Sequence, residues 1–371
     1  MTNTRSIQVV RYFGAILAVG LMTAFSAPPA SGAASHISVA QAKAQLKQLE
    51  GKQKFPALPT SPKPKSNEKV FVICYWMAIP GLAQESNGAV AAAKSLGWNV
   101  TLVDGGGDPA TITQGVQRAI SEHATGIILA TIPSAIVGEN ALADARAAGI
   151  PIVSMNAENI PSPTGVSAEV YSATFDRGTG ADEALWAIAH SNGKAHVLVL
   201  NDTSFASAAP VYQGTMNTLR VCAGCKAYTL NFVGANIATT VASAVTTALE
   251  THPDINYVAA EYDAVALAAG QGIKSSGRSG IGLLSTGGNA SNLNNIRAGS
   301  QAMDSGEPLA YNGWYGVWVM NWLLNGKSAP TTSNTAGFGP NKVLYAGNLP
   351  PKGQPWNGDE DFTPTFTKSW G

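Results

Sequence analysis

Charge is scarce in this chain of 371 residues: 12% are Asp, Glu, Lys or Arg, and the 23 acidic side chains match the 23 basic ones. Nucleic-acid binding calls for a basic footprint, and peripheral membrane binding for a polybasic patch, so a balanced and lightly charged chain favours neither. Histidine is equally sparse. His36, His123, His190, His196 and His252 are scattered, none with a partner at metal-ligand spacing. There is no G-x-S-x-G nucleophile elbow. The run Gly105-Gly-Gly-Asp is a turn with a helix cap rather than a dinucleotide fingerprint or phosphate loop. No enzyme, metal site or cofactor is expected. The three cysteines are Cys74, Cys222 and Cys225. In an oxidising compartment Cys222 and Cys225 can close a small disulfide loop at a helix's end. A redox pair sits instead at a helix N-terminus, where the dipole lowers a thiol pKa. Two cysteines without nearby histidines complete no zinc site. Cys74 ends an apolar strand and is expected to be buried.

Long apolar runs are missing as well. The apolar stretch from Tyr12 to Phe25 is too short to span a bilayer comfortably. Arg5 and Arg11 precede it and small residues follow through Ala34, which is the pattern of a secretory signal with cleavage after Gly32 or Ala33. Residues 1–33 are therefore expected to be a signal peptide. No cysteine lies near the cleavage site to carry a lipid, so the mature protein is expected to be exported, periplasmic or extracellular, and soluble.

Residues 34–68 form a preface: an amphipathic helical piece from Val39 to Leu49, then the proline-rich Phe55-Pro-Ala-Leu-Pro-Thr-Ser-Pro-Lys-Pro-Lys. It either packs on the body or stays mobile. From Lys69 a rhythm begins. Strands over Val70–Tyr75, Asn99–Val103, Gly126–Ala130 and Ile152–Met155 alternate with helices over Leu82–Leu96, Ala110–Glu122 and Glu139–Ala148. Gly97 stops the first helix, Asp108 caps the second, and Pro109 occupies its first turn. A second set follows: strands over His196–Leu200, Ala227–Phe232, Tyr257–Ala260 and Gly282–Ser285, with helices over Val211–Arg220, Ile237–Thr251 and Asp263–Ser275. Short apolar strands alternating with helices indicate parallel sheets covered on both faces. The expected fold is α/β: two similar doubly wound parallel-sheet lobes.

Three phrases then carry a resemblance. Ala147-Ala-Gly-Ile-Pro-Ile-Val-Ser-Met-Asn, the stretch from Thr251 to Gly270, and Ala91-Ala-Ala-Lys-Ser-Leu-Gly-Trp-Asn-Val are similar, in order, to segments of the type I periplasmic sugar-binding proteins related to ribose-binding protein. The resemblance covers roughly residues 69–330. It implies a three-segment hinge, with crossings near Tyr171–Asp176, Gly306–Tyr311 and Phe338–Val343. The first lobe would comprise 69–173 plus 308–338, including a helix over Gly313–Leu324. The second lobe would comprise 174–307, with 339–371 as its last segment and C-terminal tail. The resemblance further implies an extracytoplasmic solute-binding protein that binds a sugar or sugar-like small molecule and delivers it to an ABC transporter permease in the membrane; the protein is expected to be monomeric. The alternatives are presentation of the ligand to a membrane sensor, and a less polar aromatic solute. Cytosolic sugar repressors share the fold but carry a DNA-binding helix pair where this chain has its apolar N-terminus, so no nucleic-acid partner is expected.

Ligands of open parallel sheets bind outside the carboxyl ends of the strands. That rule selects Tyr75, Trp76 and Met77; Asn156 and Glu158; Asn201, Asp202 and Phe205; Tyr262 and Asp263; and Gly287, Gly288 and Asn289. Aromatic rings such as Tyr75, Trp76 and Phe205 suit the apolar faces of a sugar, and Asn156, Asp202 and Asn289 suit its hydroxyls. Asp263 and Asp202 can instead cap a helix and a turn. Of two rings on one helix, Trp318 suits the core and Trp314 can reach the cleft. Tyr75 and Trp76 alternate in direction, so one of them is expected to enter fully. The chain also departs from the ribose-binding pattern. Asn156-Ala157 replaces an aspartate-arginine pair, Tyr262 an asparagine and Gly287 an aspartate, and the arginine of the Ala209–Gly214 region is missing.

Overall fold

The β/α rhythm from Lys69 onward resolves into two sheets. A computed structural model describes residues 36–157, 165–170, 172–205, 207–328, 330 and 339–371. The expected signal segment and Glu158 lie outside these residues.

The first sheet contains β1 (Lys69–Cys74), β2 (Asn99–Asp104), β3 (Gly126–Ala130), β4 (Ile152–Met155) and β5 (Ala168–Val170), in the spatial order β2-β1-β3-β4-β5 and parallel throughout. Its central strands are buried along their length, as near-continuous apolar runs such as Val70-Phe-Val-Ile-Cys require of a sheet covered on both faces. Helices α2 (Pro80–Ser95), α3 (Pro109–Ser121), α4 (Ser134–Val137) and α5 (Glu139–Ala147) connect these strands. Asp108 caps α3 by accepting the Thr111 N–H, with Pro109 in the first turn. Beyond α2, Gly97 adopts φ +73°, and the chain reverses there into β2.

The second sheet is larger. Strands β6 (His196–Asp202), β7 (Lys226–Phe232), β8 (Tyr257–Ala260), β9 (Gly282–Gly287), β10 (Met303–Gly306) and β11 (Lys342–Leu344) run in the order β11-β10-β9-β8-β6-β7. All neighbours are parallel except β10 and β11. Helices α6 (Ala173–His190), α7 (Ala209–Arg220), α8 (Ala242–Thr251), α9 (Asp263–Ser275) and α10 (Ala290–Ala298) belong with it. The helix expected over Ile237–Thr251 starts later: residues Ile237–Val241 form a wider π turn before α8. Cys222 and Cys225, just past α7, are joined by a disulfide.

The chain passes between the sheets after β5, between β10 and α11 (Leu309–Leu324), and between α11 and β11. As a result each lobe receives a helix from the crossing region. In the first lobe α11 packs on α2, and in the second α6 packs on α7. Both pairs meet backbone to backbone at glycine. A Cβ on Gly88 would strike the Ala310 carbonyl, and one on Gly313 the Glu85 carbonyl. A Cβ on Gly180 would strike the Val211 carbonyl, and one on Gly214 the Arg177 carbonyl.

The preface packs on both lobes. Helix α1 (Val39–Leu49) buries Ala42 and Leu46 in the second lobe's core against α6. Phe55 then stacks on Tyr311, ring centroids 4.8 Å apart. Lys65 Nζ donates to the Leu324 carbonyl at 2.6 Å, and Trp98 Nε1 donates to the Lys65 carbonyl at 2.8 Å. The tail, assigned above to the second lobe, divides. Trp356 packs with Leu344 and Leu293 there, but Phe366 in α12 (Thr363–Thr367) is fully buried in the first lobe's core. The reason lies in α11, whose Tyr311 and Trp314 faces stay uncovered until Phe362, Phe366 and Trp370 close over them.

Candidate functional site

A cavity of about 470 Å³ lies between the lobes, within the size range of small-molecule sites, ~300–1,000 Å³. Its walls come from segments that follow β1, β2, β3, β4, β6, β7, β8, β9 and β10, the carboxyl-end placement expected of parallel sheets.

On the first lobe, Tyr75 and Trp76 follow β1, with the Tyr75 N–H held by the Ala130 carbonyl at 3.1 Å. The Tyr75 ring reaches the opposite lobe and meets Phe205 edge to face, centroids 5.5 Å apart at 87°. Trp76 stands at the mouth, 43% exposed. Behind them the strand ends turn left-handed. Thr131 after β3 and Asn156 after β4 have φ of +55° and +47°, a region that strains the β-branched Thr131 but that Asn adopts readily. Each conformation is fixed from two sides. The Thr131 N–H donates to the Met155 carbonyl at 2.8 Å and the Asn156 N–H to the Val170 carbonyl at 3.0 Å. Their side chains converge on the carboxylate of Glu85 from α2: Thr131 Oγ1 donates to Oε2 at 3.1 Å and Asn156 Nδ2 to Oε1 at 2.5 Å. Burial pushes the Glu85 carboxyl up to about 7, while the two hydrogen bonds pull it back.

On the second lobe, carboxyl groups organise the rim. Asp202 ends β6. Its Oδ1 accepts from the Ser204 N–H at 2.9 Å, the Ser204 hydroxyl at 2.5 Å and the Gly234 N–H at 3.1 Å, and its Oδ2 accepts from the Tyr262 hydroxyl at 2.6 Å. Three loops are thereby tied to one side chain. Glu261 follows β8; its Oε2 accepts the Asp202 N–H at 2.7 Å, and burial raises this carboxyl to about 9. Asp263 and Asp304 share the Ser285 hydroxyl, at 2.7 and 2.9 Å, while Gln301 Nε2 also donates to it. One hydroxyl supplies one proton, so one of the two carboxyls must be protonated to complete the second bond. Burial raises both, and the other carboxyl adds to the rise at Asp263. Asp263 Oδ2 also accepts the Asn289 N–H at 2.6 Å, and Asp304 Oδ1 the Gly288 N–H at 2.8 Å, which fixes the loop after β9.

The sequence from 70 to 328 matches the family model described as a periplasmic binding protein domain. The chain is a periplasmic binding protein. No curated protein sequence matches it, but solved structures share its architecture. A solute-binding protein of an ABC transporter from Agrobacterium vitis with bound allitol superposes with a TM-score of 0.64 at 21% identity, covering 77% of this chain and 96% of that one. A glucose-galactose binding protein from Geobacillus stearothermophilus gives 0.66 at 16%, with 77% and 100% covered. A solute-binding protein from Burkholderia graminis in complex with D-arabinose gives 0.65 at 19%, with 76% and 96% covered. At these identities the likeness establishes the fold. Two α/β lobes facing one cleft are therefore common to this binding protein and its structural relatives.

Of the residues selected from sequence, Tyr75, Trp76, Asn156, Phe205, Tyr262, Asp263, Gly287 and Asn289 line the cavity. Tyr75 and Trp76 both do so, despite their alternation, because the strand ends at Cys74 and the chain bends beyond it. Asp202 stands one layer back, orienting Tyr262. Met77 is outside the lining, with its N–H turned to Asp104 Oδ1 at 2.9 Å. Asn201 donates to Asn231 Oδ1 at 2.7 Å, also away from the cavity. Trp314 is 8% exposed and stacks on Trp370 in the first lobe's core, so the expectation that it reaches the cleft is corrected. Glu85, Thr131, Asp176, Glu261 and Glu307 line the cavity without having been singled out. Among the described residues no helix is long and apolar enough to cross a membrane, and no three His, Cys, Asp or Glu are grouped to hold a metal ion.

Proposed function

We propose that this binding protein is an extracytoplasmic receptor that closes around one small solute, a sugar or sugar-like compound, and delivers it to an ABC import permease. The observation that carries the reading is the cavity whose walls are drawn from both lobes. Occupancy of such a site favours the closed arrangement by the ligand's differential affinity for it, and that closed form is what a permease can recognise. The names of the similar structures, with allitol and D-arabinose bound, support a polyhydroxylated solute. Tyr75, Trp76, Phe205 and Tyr262 are the proposed rings against its apolar face, and Asn156, Thr131 and Asn289 the proposed polar contacts. The export signal expected over residues 1–33 agrees with a role outside the cytoplasm. The protein is proposed to act as a monomer, without nucleic acid and without catalysis.

A thermal-shift screen against sugars, polyols, nucleosides and aromatic acids tests this. A ligand bound by the folded state alone raises the melting midpoint by mass action. A flat response to every sugar and polyol would remove the carbohydrate reading.

A further inference from the structure

We infer that the solute carries a positive charge: a protonated amine on a body with an apolar face, such as an aminated sugar or polyol. The inference deepens the receptor reading above and rests on it.

The argument begins with what lines the cavity. Five carboxyl-bearing residues do so: Glu85, Asp176, Glu261, Asp263 and Glu307. No lysine, arginine or histidine is among the described lining residues. The segments 158–164 and 331–338, Glu-Asn-Ile-Pro-Ser-Pro-Thr and Thr-Thr-Ser-Asn-Thr-Ala-Gly-Phe, contain none in their sequence either. Basic side chains nearby in the chain are engaged elsewhere. Arg177, next to Asp176, turns to Thr174 Oγ1, and Lys342 pairs with Asp359 at 2.7 Å. Glu85, Glu261, Asp263 and Glu307 thus face one cavity in which no described lining residue is a cation.

Burying uncompensated carboxylates is strongly unfavourable, so such groups are held protonated or call for a counter-charge. Burial is the first cause of the upward shift at Glu85, Glu261 and Glu307, and at Glu307 the neighbouring Asp176, Asp304 and Glu85 add to it.

Two of these groups hold free acceptor capacity. Glu261 is 2% exposed, and its Oε1 is buried with no hydrogen-bond partner. The Glu307 side chain, on the crossing between β10 and α11, makes no hydrogen bond among the described residues. Asp263 differs, since Ser285 and Asn289 already occupy its oxygens. Three of the lining's donors are already committed to carboxylates: Thr131 Oγ1 and Asn156 Nδ2 serve Glu85, and the Tyr262 hydroxyl serves Asp202. A neutral hydroxyl both donates and accepts, so a polyol needs donors from the site as well as acceptors. An ammonium group has three N–H donors and no acceptor, which is the complement of a surface rich in unpaired carboxyl oxygens. The rings of Tyr75, Trp76 and Phe205 present π faces that also attract a cation, and Ile79, Leu82 and Ile237 provide the apolar wall for the rest of the molecule.

The test is calorimetric titration of the full mature chain with matched pairs differing in one group: D-glucosamine against D-glucose, and 1-amino-1-deoxysorbitol against sorbitol, with N-acetylglucosamine as the bulky uncharged control. The amine is expected to bind at least tenfold tighter than its hydroxyl partner, and N-acetylation to abolish that advantage. Glu307→Gln, which keeps shape and removes charge, is expected to cut the amine's advantage over its hydroxyl partner at least tenfold; Glu261→Gln provides a second variant should the first fail to fold. Equal or tighter binding of the neutral member overturns the cation inference and leaves the receptor reading standing. If neither these compounds nor a wide set of sugars, polyols and their amines bind, the receptor reading for sugar-like solutes falls and takes this inference with it.

Discussion

The two lobes share a plan and differ in how each builds the surface that faces the other. Both accept a helix from the crossing region and seat it on their first helix through a glycine contact, Gly88 with Gly313 and Gly180 with Gly214. At the strand ends they diverge. The first lobe aims its polar groups by left-handed backbone, holding Thr131 and Asn156 at positive φ around the single buried acid Glu85. The second holds its loops with the buried acids Asp202, Glu261, Asp263 and Asp304. Backbone geometry is insensitive to pH, whereas carboxyl groups are not. Glu85 gives the first lobe one group that responds to protons, and the larger set of buried acids is expected to give the second lobe more of that response.

The largest expected effect exploits that difference. A carboxyl whose folded pKa lies above its unfolded value of about 4 stabilises the fold fully below pH 4 and loses that contribution as pH rises through the folded value. Burial raises Asp182 and Glu85 to about 7 and Glu261 to about 9. The unliganded protein is thus expected to melt highest near pH 4 to 5 and progressively lower through pH 7 and pH 9, as read by circular dichroism. Glu261→Gln should flatten the decline between pH 7 and 9, and an unchanged slope would show that Glu261 is not its source.

Next in size is a change in the first lobe. Trp318 is fully buried, and Trp318→Ala is expected to cost about 3–5 kcal/mol by denaturant unfolding, with no change in the pH slope. A smaller effect is expected at Asp202, which is 2% exposed. Asp202→Ala strips the acceptor from Ser204, Gly234 and Tyr262, and each buried donor left unsatisfied costs ~1–3 kcal/mol, partly relieved by water. A net loss of about 2–3 kcal/mol is expected, together with weaker ligand binding because Tyr262 is released. The smallest change in stability belongs to Trp76→Ala. At 43% exposure this ring contributes little to the core, so the melting midpoint should stay within a degree or two while the best ligand weakens about tenfold. Unchanged affinity would remove Trp76 from the site.

The sequence made legible what periodicity can carry. Apolar strands and one-sided helices were readable, and so were Asp108 as a cap and Gly97 as a stop. Helix α6 was not, since its residues from Thr179 to Ala189 are almost all buried and leave no polar stripe to set the period. Strand β10, Met-Asp-Ser-Gly, is buried yet mostly polar and gives no strand signal. In the site, the strand-end rule located the rings and amides but not Glu85, which reaches the cavity from a helix. It selected Tyr262 and Asp263 but not Glu261, the residue immediately before them. Trp314 was misplaced because its cover, Phe362, Phe366 and Trp370, arrives from about fifty residues later in the chain and has no local signature.

The preface and the tail add a seam to the three crossings. Asn357 Oδ1 accepts from Gln84 Nε2 at 2.6 Å and from the Ala310 N–H at 3.3 Å in the first lobe, and two residues on Asp359 accepts from the Gln53 N–H and from Lys342 of the second sheet, both at 2.7 Å. Ser61 and Trp370 meet in a backbone bridge. Neither half can lose its packing without unravelling segments that the other half also needs. In a scanning calorimeter the molecule is therefore expected to absorb heat in one cooperative peak rather than two, melting as a single thermodynamic body although it is built as a pair.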